Sequence, residues 1–116
     1  QVVISHEGFS LNVLLCVKNI RKARISCVIE EPATIFIGDI ICDNNRDINK
    51  GYGSQMMSEL ISYAEQNGFK RIWGNLSNVD MDHKERLYHF YEKFGFDIEE
   101  YDELRGCDVG KIEKLL

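Results

Sequence analysis

The residues best suited to chemistry are Lys50-Gly51-Tyr52-Gly53-Ser54. They stand between an apolar run (Ile35, Phe36, Ile37, Ile40, Ile41, Cys42) with a polar loop, Asp43 to Asn49, and an amphipathic segment beyond. Two glycines separated by one residue let the backbone bend with side chains out of the way. A helix starting there presents first-turn N–H groups that have no intrahelical acceptor, at the positive end of its dipole. A strand, a glycine turn and a helix start, in that order, suit an anion, most often phosphate. Taken alone, Gly51-x-Gly53 is a weak signal, and a ligand-free strand–helix turn explains it almost equally well. The dinucleotide fingerprint G-x-G-x-x-G fails at Met56, and a P-loop fails because no Gly-Lys-Ser/Thr follows the glycines.

The elements that would position this turn can be read from periodicity. Val2-Val3-Ile4 suits a short edge strand, and Phe9 to Val17 a longer one that turns at Lys18-Asn19-Ile20-Arg21. Ala23 to Ile29 alternates as a half-buried strand does, and Glu31-Pro32 marks the next break. Thr34 to Cys42 is a fourth strand, apolar on both faces except at Asp39. After Gly53, the residues Met56, Met57, Leu60, Ile61 and Ala64 form a helical stripe that stops at Asn67-Gly68. Phe69 to Leu76 is then a strand parallel to the fourth, because a helix joins them. Asp82 and Glu85 have capping-box spacing for a second helix, which carries Leu87, Phe90, Tyr91 and Phe94 on one face and ends at Gly95. A strand from Phe96-Asp97-Ile98, a loop at Arg105 and Gly106, and a strand from Val109 to Leu115 complete the chain. The predicted order is β-β-β-β-α-β-α-β-β, an α/β (α+β type) mixed sheet in a single domain over residues 1–116.

Composition excludes several classes of function. A chain of 116 residues with 44% hydrophobic and 28% charged residues fits one ordinary globular core. Its net charge of −5 and the lack of a basic stripe argue against nucleic acid. Lys18, Arg21, Lys22 and Arg24 cluster at a hairpin tip, where solvation explains them. The apolar runs fall well short of the ~20 residues that cross a bilayer. No leader is visible, although the chain starts at Gln1, so an N-terminal element can precede it. Cys16, Cys27, Cys42 and Cys107 form no C-x-x-C pair, which argues against zinc and fits reduced thiols in a cytoplasmic protein. The first three lie in strand-like runs and read as small core residues.

A second segment changes the weight of the first. Lys50-Gly51-Tyr52-Gly53-Ser54, followed after one helix and one strand by Phe90-Tyr91-Glu92-Lys93-Phe94-Gly95-Phe96, closely resembles the GNAT superfamily of N-acetyltransferases. Its coenzyme loop reads Q/R-x-x-G-x-G/A, and its later helix often ends in a segment like F-Y-x-K-x-G-F. The resemblance runs from about Thr34 to Ile98. It implies acetyl-CoA as the cofactor, with the pyrophosphate on main-chain amides of Asn49, Lys50, Gly51, Tyr52, Gly53 and Ser54. It also implies that strands four and five splay apart, so that the pantetheine arm lies along main-chain groups near Ile41 and Cys42. Tyr91 matches the tyrosine that protonates the departing thiolate in many members; a core aromatic is the plainer reading of the same residue. Glycine at position 53 is expected to leave the phosphate room to approach.

The chain departs from the family pattern in three places. Ile48 stands where Q/R is usual, with Arg46 nearby; Asp80-Met81-Asp82-His83-Lys84 replaces an asparagine often found at the start of the second helix; and the two helices that usually follow the first strand, and wall the acceptor site, are missing. Either the acceptor cleft is open or a partner subunit closes it, which makes a homodimer a reasonable expectation. Acetyl transfer to an amine requires a base, and Asp39, interrupting an apolar strand beside the expected cleft, is the first candidate, ahead of Glu30 and Glu31. A carboxylate paired with Arg or Lys of a neighbouring strand is an equal alternative for Asp39. The resemblance thus implies an acetyl-CoA-dependent N-acetyltransferase acting on an amine acceptor in a ternary complex, with no metal. The alternative is a non-catalytic acyl-CoA-binding or interaction module on the same fold.

Overall fold

Runs of β-branched and aromatic residues place four strands in succession: β1 (Val2–Glu7), β2 (Ser10–Val17), β3 (Ile20–Glu30) and β4 (Thr34–Cys42). Then come α1 (Tyr52–Gln66), β5 (Arg71–Ser77), a short 3-10 helix (Asn78–His83), α2 (Lys84–Lys93), β6 (Asp97–Arg105) and β7 (Asp108–Leu115). The computed structural model describes residues 1–42 and 51–116, with only the backbone at Asp80 and Leu104. The order is the one predicted. β2 and β3 turn more tightly than expected: Lys18 and Asn19 alone make the turn, both at positive φ, so Ile20 and Arg21 already belong to β3.

All seven strands join one mixed sheet in the order β1-β2-β3-β4-β5-β7-β6. β4 and β5 are parallel, as the helical crossover requires, and every other pairing is antiparallel. The β4–β5 ladder covers only Thr34↔Arg71 to Ile37↔Gly74, although β4 continues to Cys42 and β5 to Ser77. The cause lies on the other edge of β4. Ser26 of β3 pairs with Asp39 and Cys27 with Ile37, so Gly38 is an extra residue. Such a bulge bends its strand, and β4 leaves β5 immediately after Ile37. At the point of divergence the strands are close: a Cβ on Gly74 would stand 3.1 Å from the Ile37 carbonyl oxygen.

One face of the sheet is the core. Leu11, Val13, Leu15, Ile25, Ile35 and Ile72 project there, against the Met56-Met57-Leu60-Ala64 stripe of α1. Leu60 is fully buried; Leu60→Ala is expected to cost about 2–5 kcal/mol of folding stability, measurable by urea denaturation. The opposite face has no covering helix among the described residues, since β1 passes into β2 through a turn at Gly8-Phe9. Its half-buried side chains support one another. Trp73 donates its indole N–H to Glu30 at 2.7 Å and packs on Phe36 at 4.8 Å, while the Arg71 guanidinium lies 5.0 Å over its ring and bonds Glu113.

The start of α2 differs from the capping box expected at Asp82 and Glu85. The chain begins to coil earlier, with Ser77 capping the 3-10 helix by accepting from the Val79 N–H. The α-helix proper then starts at Lys84, with no side-chain cap from His83. Asp82 bonds His83 Nδ1 at 2.7 Å instead.

Candidate functional site

The divergence of β4 and β5 opens a cavity of about 530 Å³. Its walls are Gly38–Cys42 of β4, the first turn of α1 and one side of α2. Among the described residues, β4 pairs with no strand on the β5 side past Ile37. A strand edge of that kind offers main-chain donors and acceptors to an extended ligand. Ile41 and Cys42 lie on this stretch, half-buried.

α1 points its N-terminus at the same cavity. Gly51 is the N-cap at φ 79°, a left-handed conformation that favours glycine, and its carbonyl accepts the Gln55 N–H at 3.1 Å. Gly51 has no side chain to cap the first-turn N–H groups, and no acidic residue in that turn offsets the positive end of the dipole. A cation reinforces it: the Lys93 ammonium donates to Ser54 Oγ at 2.8 Å, steadied by the Phe90 and Phe94 rings at 5.7 and 5.2 Å. Gly51, Tyr52, Gly53 and Ser54 all line the cavity; Asn49 and Lys50, assigned to the same loop, lie outside the described residues, as do Arg46 and Ile48. Gly53 departs from expectation. Its missing Cβ faces the Phe90 ring at 3.3 Å, so this glycine lets α1 and α2 approach each other rather than clearing space in the cavity.

Tyr91 is the buried residue of α2, 8% exposed, and it borders the cavity. Edge-to-face contacts with Phe90 at 5.4 Å and Phe96 at 5.6 Å fix its ring. Tyr88 is directed elsewhere, donating to Glu100 at 2.9 Å, and its phenol is pushed up to about 12 by burial and then by that carboxylate. Asp39 sits opposite Ser26 on β4, exposed at the cavity wall, and makes no ion pair with a described residue. Glu30 is occupied by Trp73. Of the three strand cysteines only Cys27 is buried, its thiol pushed up to about 12 by desolvation; Cys16 and Cys42 are half-buried, so the expectation of three core residues holds for one.

Sequence reasoning missed Arg86 and His89, which line the cavity beside Lys93. Their spacing of three and four residues on α2 is the available signal. Among the described residues no cluster of His, Cys, Asp or Glu suits a metal ion, and no helix is long and apolar enough to cross a membrane.

Residues 18–96 match the Acetyltransferase (GNAT) family. The chain belongs to this family. A solved structure of similar extent is a Bacillus subtilis acetyltransferase in complex with CoA, 16% identical, with a TM-score of 0.77 over 100% of this chain and 98% of that one. An IAA acetyltransferase from Bacillus cereus matches at 17% identity and a TM-score of 0.74, covering 93% of this chain and 79% of the other. At these identities the likeness shows the GNAT fold. In sequence, an uncharacterized Bacillus subtilis protein, YocC, is 36% identical over 64 residues, 55% of this chain and 36% of that protein. The GNAT chain thus spans about a third of the length of the curated relative it matches.

Proposed function

We propose that this GNAT chain transfers the acetyl group of acetyl-CoA to an amine by direct attack in a ternary complex. The observation that carries the reading is the fork after Ile37, which opens between the diverging end of β4, a helix N-terminus that Gly51 leaves without a side-chain cap, and Tyr91. The residues present fit the coenzyme. Main-chain N–H groups of Gly51, Tyr52, Gly53 and Ser54, with those of Asn49 and Lys50, hold the diphosphate. The β4 edge near Ile41 and Cys42 aligns the pantetheine arm as an added strand.

Bound acetyl-CoA supplies the activated thioester. Asp39, directly or through a water, takes the proton that the acceptor ammonium must lose before it attacks. Tyr91 delivers a proton to the sulfur as it leaves, since phenols and thiols as free side chains ordinarily titrate within about two units of each other. The cofactor-edge contacts hold the reacting atoms in line, so positioning contributes alongside proton transfer. The acidic chain favours a cationic acceptor. The uncovered second face of the sheet suits a second copy, which would wall the acceptor side, and it also favours the rival reading of a binding module.

Thermal unfolding with acetyl-CoA, followed by thiol release over a panel of amines, tests the proposal. At a hundredfold excess over Kd the ligand should add about 2.7 kcal/mol of stability, and at least one amine should release free thiol. Stabilisation without release for every amine would support the binding module. No stabilisation at all would overturn the coenzyme reading.

A further inference from the structure

The proposed diphosphate seat accounts for two of the three phosphate groups that coenzyme A carries; α2 offers a place for the third. α1 joins the parallel strands β4 and β5, and β6 also runs parallel to β5 because both are antiparallel to β7. Both helices are therefore return crossovers and run in the same direction. They meet where the first turn of α1 touches the last turns of α2, at Gly53–Phe90 and Ser54–Lys93. The part of α2 before Phe90 accordingly extends past the N-terminus of α1. It carries Arg86 and His89, exposed and on the cavity wall, in one stripe with Lys93. At 1.5 Å of rise per residue, His89 and Arg86 lie about 6 and about 10 Å along the helix axis from Lys93. A ribose separates the 3′-phosphate of the coenzyme from its diphosphate by a comparable one to two helical turns.

The charge distribution agrees. The molecule is acidic overall, yet Asp39, on β4, is the only carboxylate among the described residues of this cavity. His83, at the start of the same helix, is occupied by Asp82. Glu85 and Glu92 on α2 are exposed and outside the cavity wall.

We infer that Arg86 and His89 on the overhanging part of α2 bind the 3′-phosphate of coenzyme A and make the chain discriminate against the form that lacks it. The inference rests on the coenzyme reading above and adds to it a specificity that the diphosphate seat cannot provide. Guanidinium and imidazole donors both suit a phosphate oxygen, the first bidentately.

Titration calorimetry with coenzyme A and with 3′-dephospho-coenzyme A tests it. The unmodified chain should bind coenzyme A about tenfold more tightly, the size of one or two charge-assisted contacts in a partly exposed site. In the double variant R86Q/H89Q the preference should vanish through weaker binding of coenzyme A alone, with the dephospho form bound as before. Inorganic phosphate should compete with neither ligand at equal concentration, since the stripe alone lacks the diphosphate anchor. Equal affinities for the two ligands in the unmodified chain, or an equal loss of both in the variant, overturn the inference and leave the coenzyme reading standing. Binding of neither ligand sinks both.

Discussion

Tyr91→Phe is expected to lower turnover by about 10²- to 10⁴-fold, the range for loss of a positioned proton donor, with coenzyme affinity within about twofold of the original. The two readouts separate because the hydroxyl acts only when the thiol departs, whereas the ring remains. Phe keeps the edge-to-face contacts with Phe90 and Phe96, so the core around it is preserved. A parallel fall in affinity and turnover would mean that the hydroxyl binds rather than donates. Full activity would reduce Tyr91 to a packing residue. Single-turnover thiol release with equilibrium titration of coenzyme A makes the distinction.

Gly53→Val is the second large effect. The new Cβ would stand 3.3 Å from the Phe90 ring, and two further methyl groups would press α2 away from α1. Overpacking of this kind costs about 1–3 kcal/mol, and the displacement separates Lys93 from Ser54 at the helix N-terminus. Coenzyme affinity should fall by more than about tenfold, with a lower thermal midpoint in the absence of ligand. Gly53→Ala calibrates the effect, because one methyl group asks Phe90 to yield by only a few tenths of an ångström. Unchanged affinity in the Val variant would show that the helix–helix contact does not shape the site.

The features that were legible in the chain are those set by local periodicity and by connection rules. The stripe from Met56 to Ala64 could only be a helix with one buried face, and a helix between two strands made β4 and β5 parallel. The cause of the fork was hidden. Gly38 becomes an extra residue only through the register that β3 imposes, and register belongs to the pair of strands, not to either sequence. The capping box at Asp82 failed for a related reason. Its residues have the right spacing, but Ser77 starts the coil earlier and moves Asp82 into the last turn of the 3-10 helix. From sequence alone Gly53 reads as room for a ligand, because its neighbour across space, Phe90, lies 37 positions away along the chain. Arg86 and His89 were visible as residues, but their orientation depends on how far α2 extends past α1.

Main-chain amides at the fork are the centre of the account, and they can be observed individually. A ¹⁵N-labelled sample titrated with coenzyme A should shift the amide resonances of Gly51 to Ser54 and of Gly38 to Cys42 together, saturating at one equivalent. Shifts confined to the uncovered sheet face around Phe36 and Trp73, with those two segments unmoved, would contradict it.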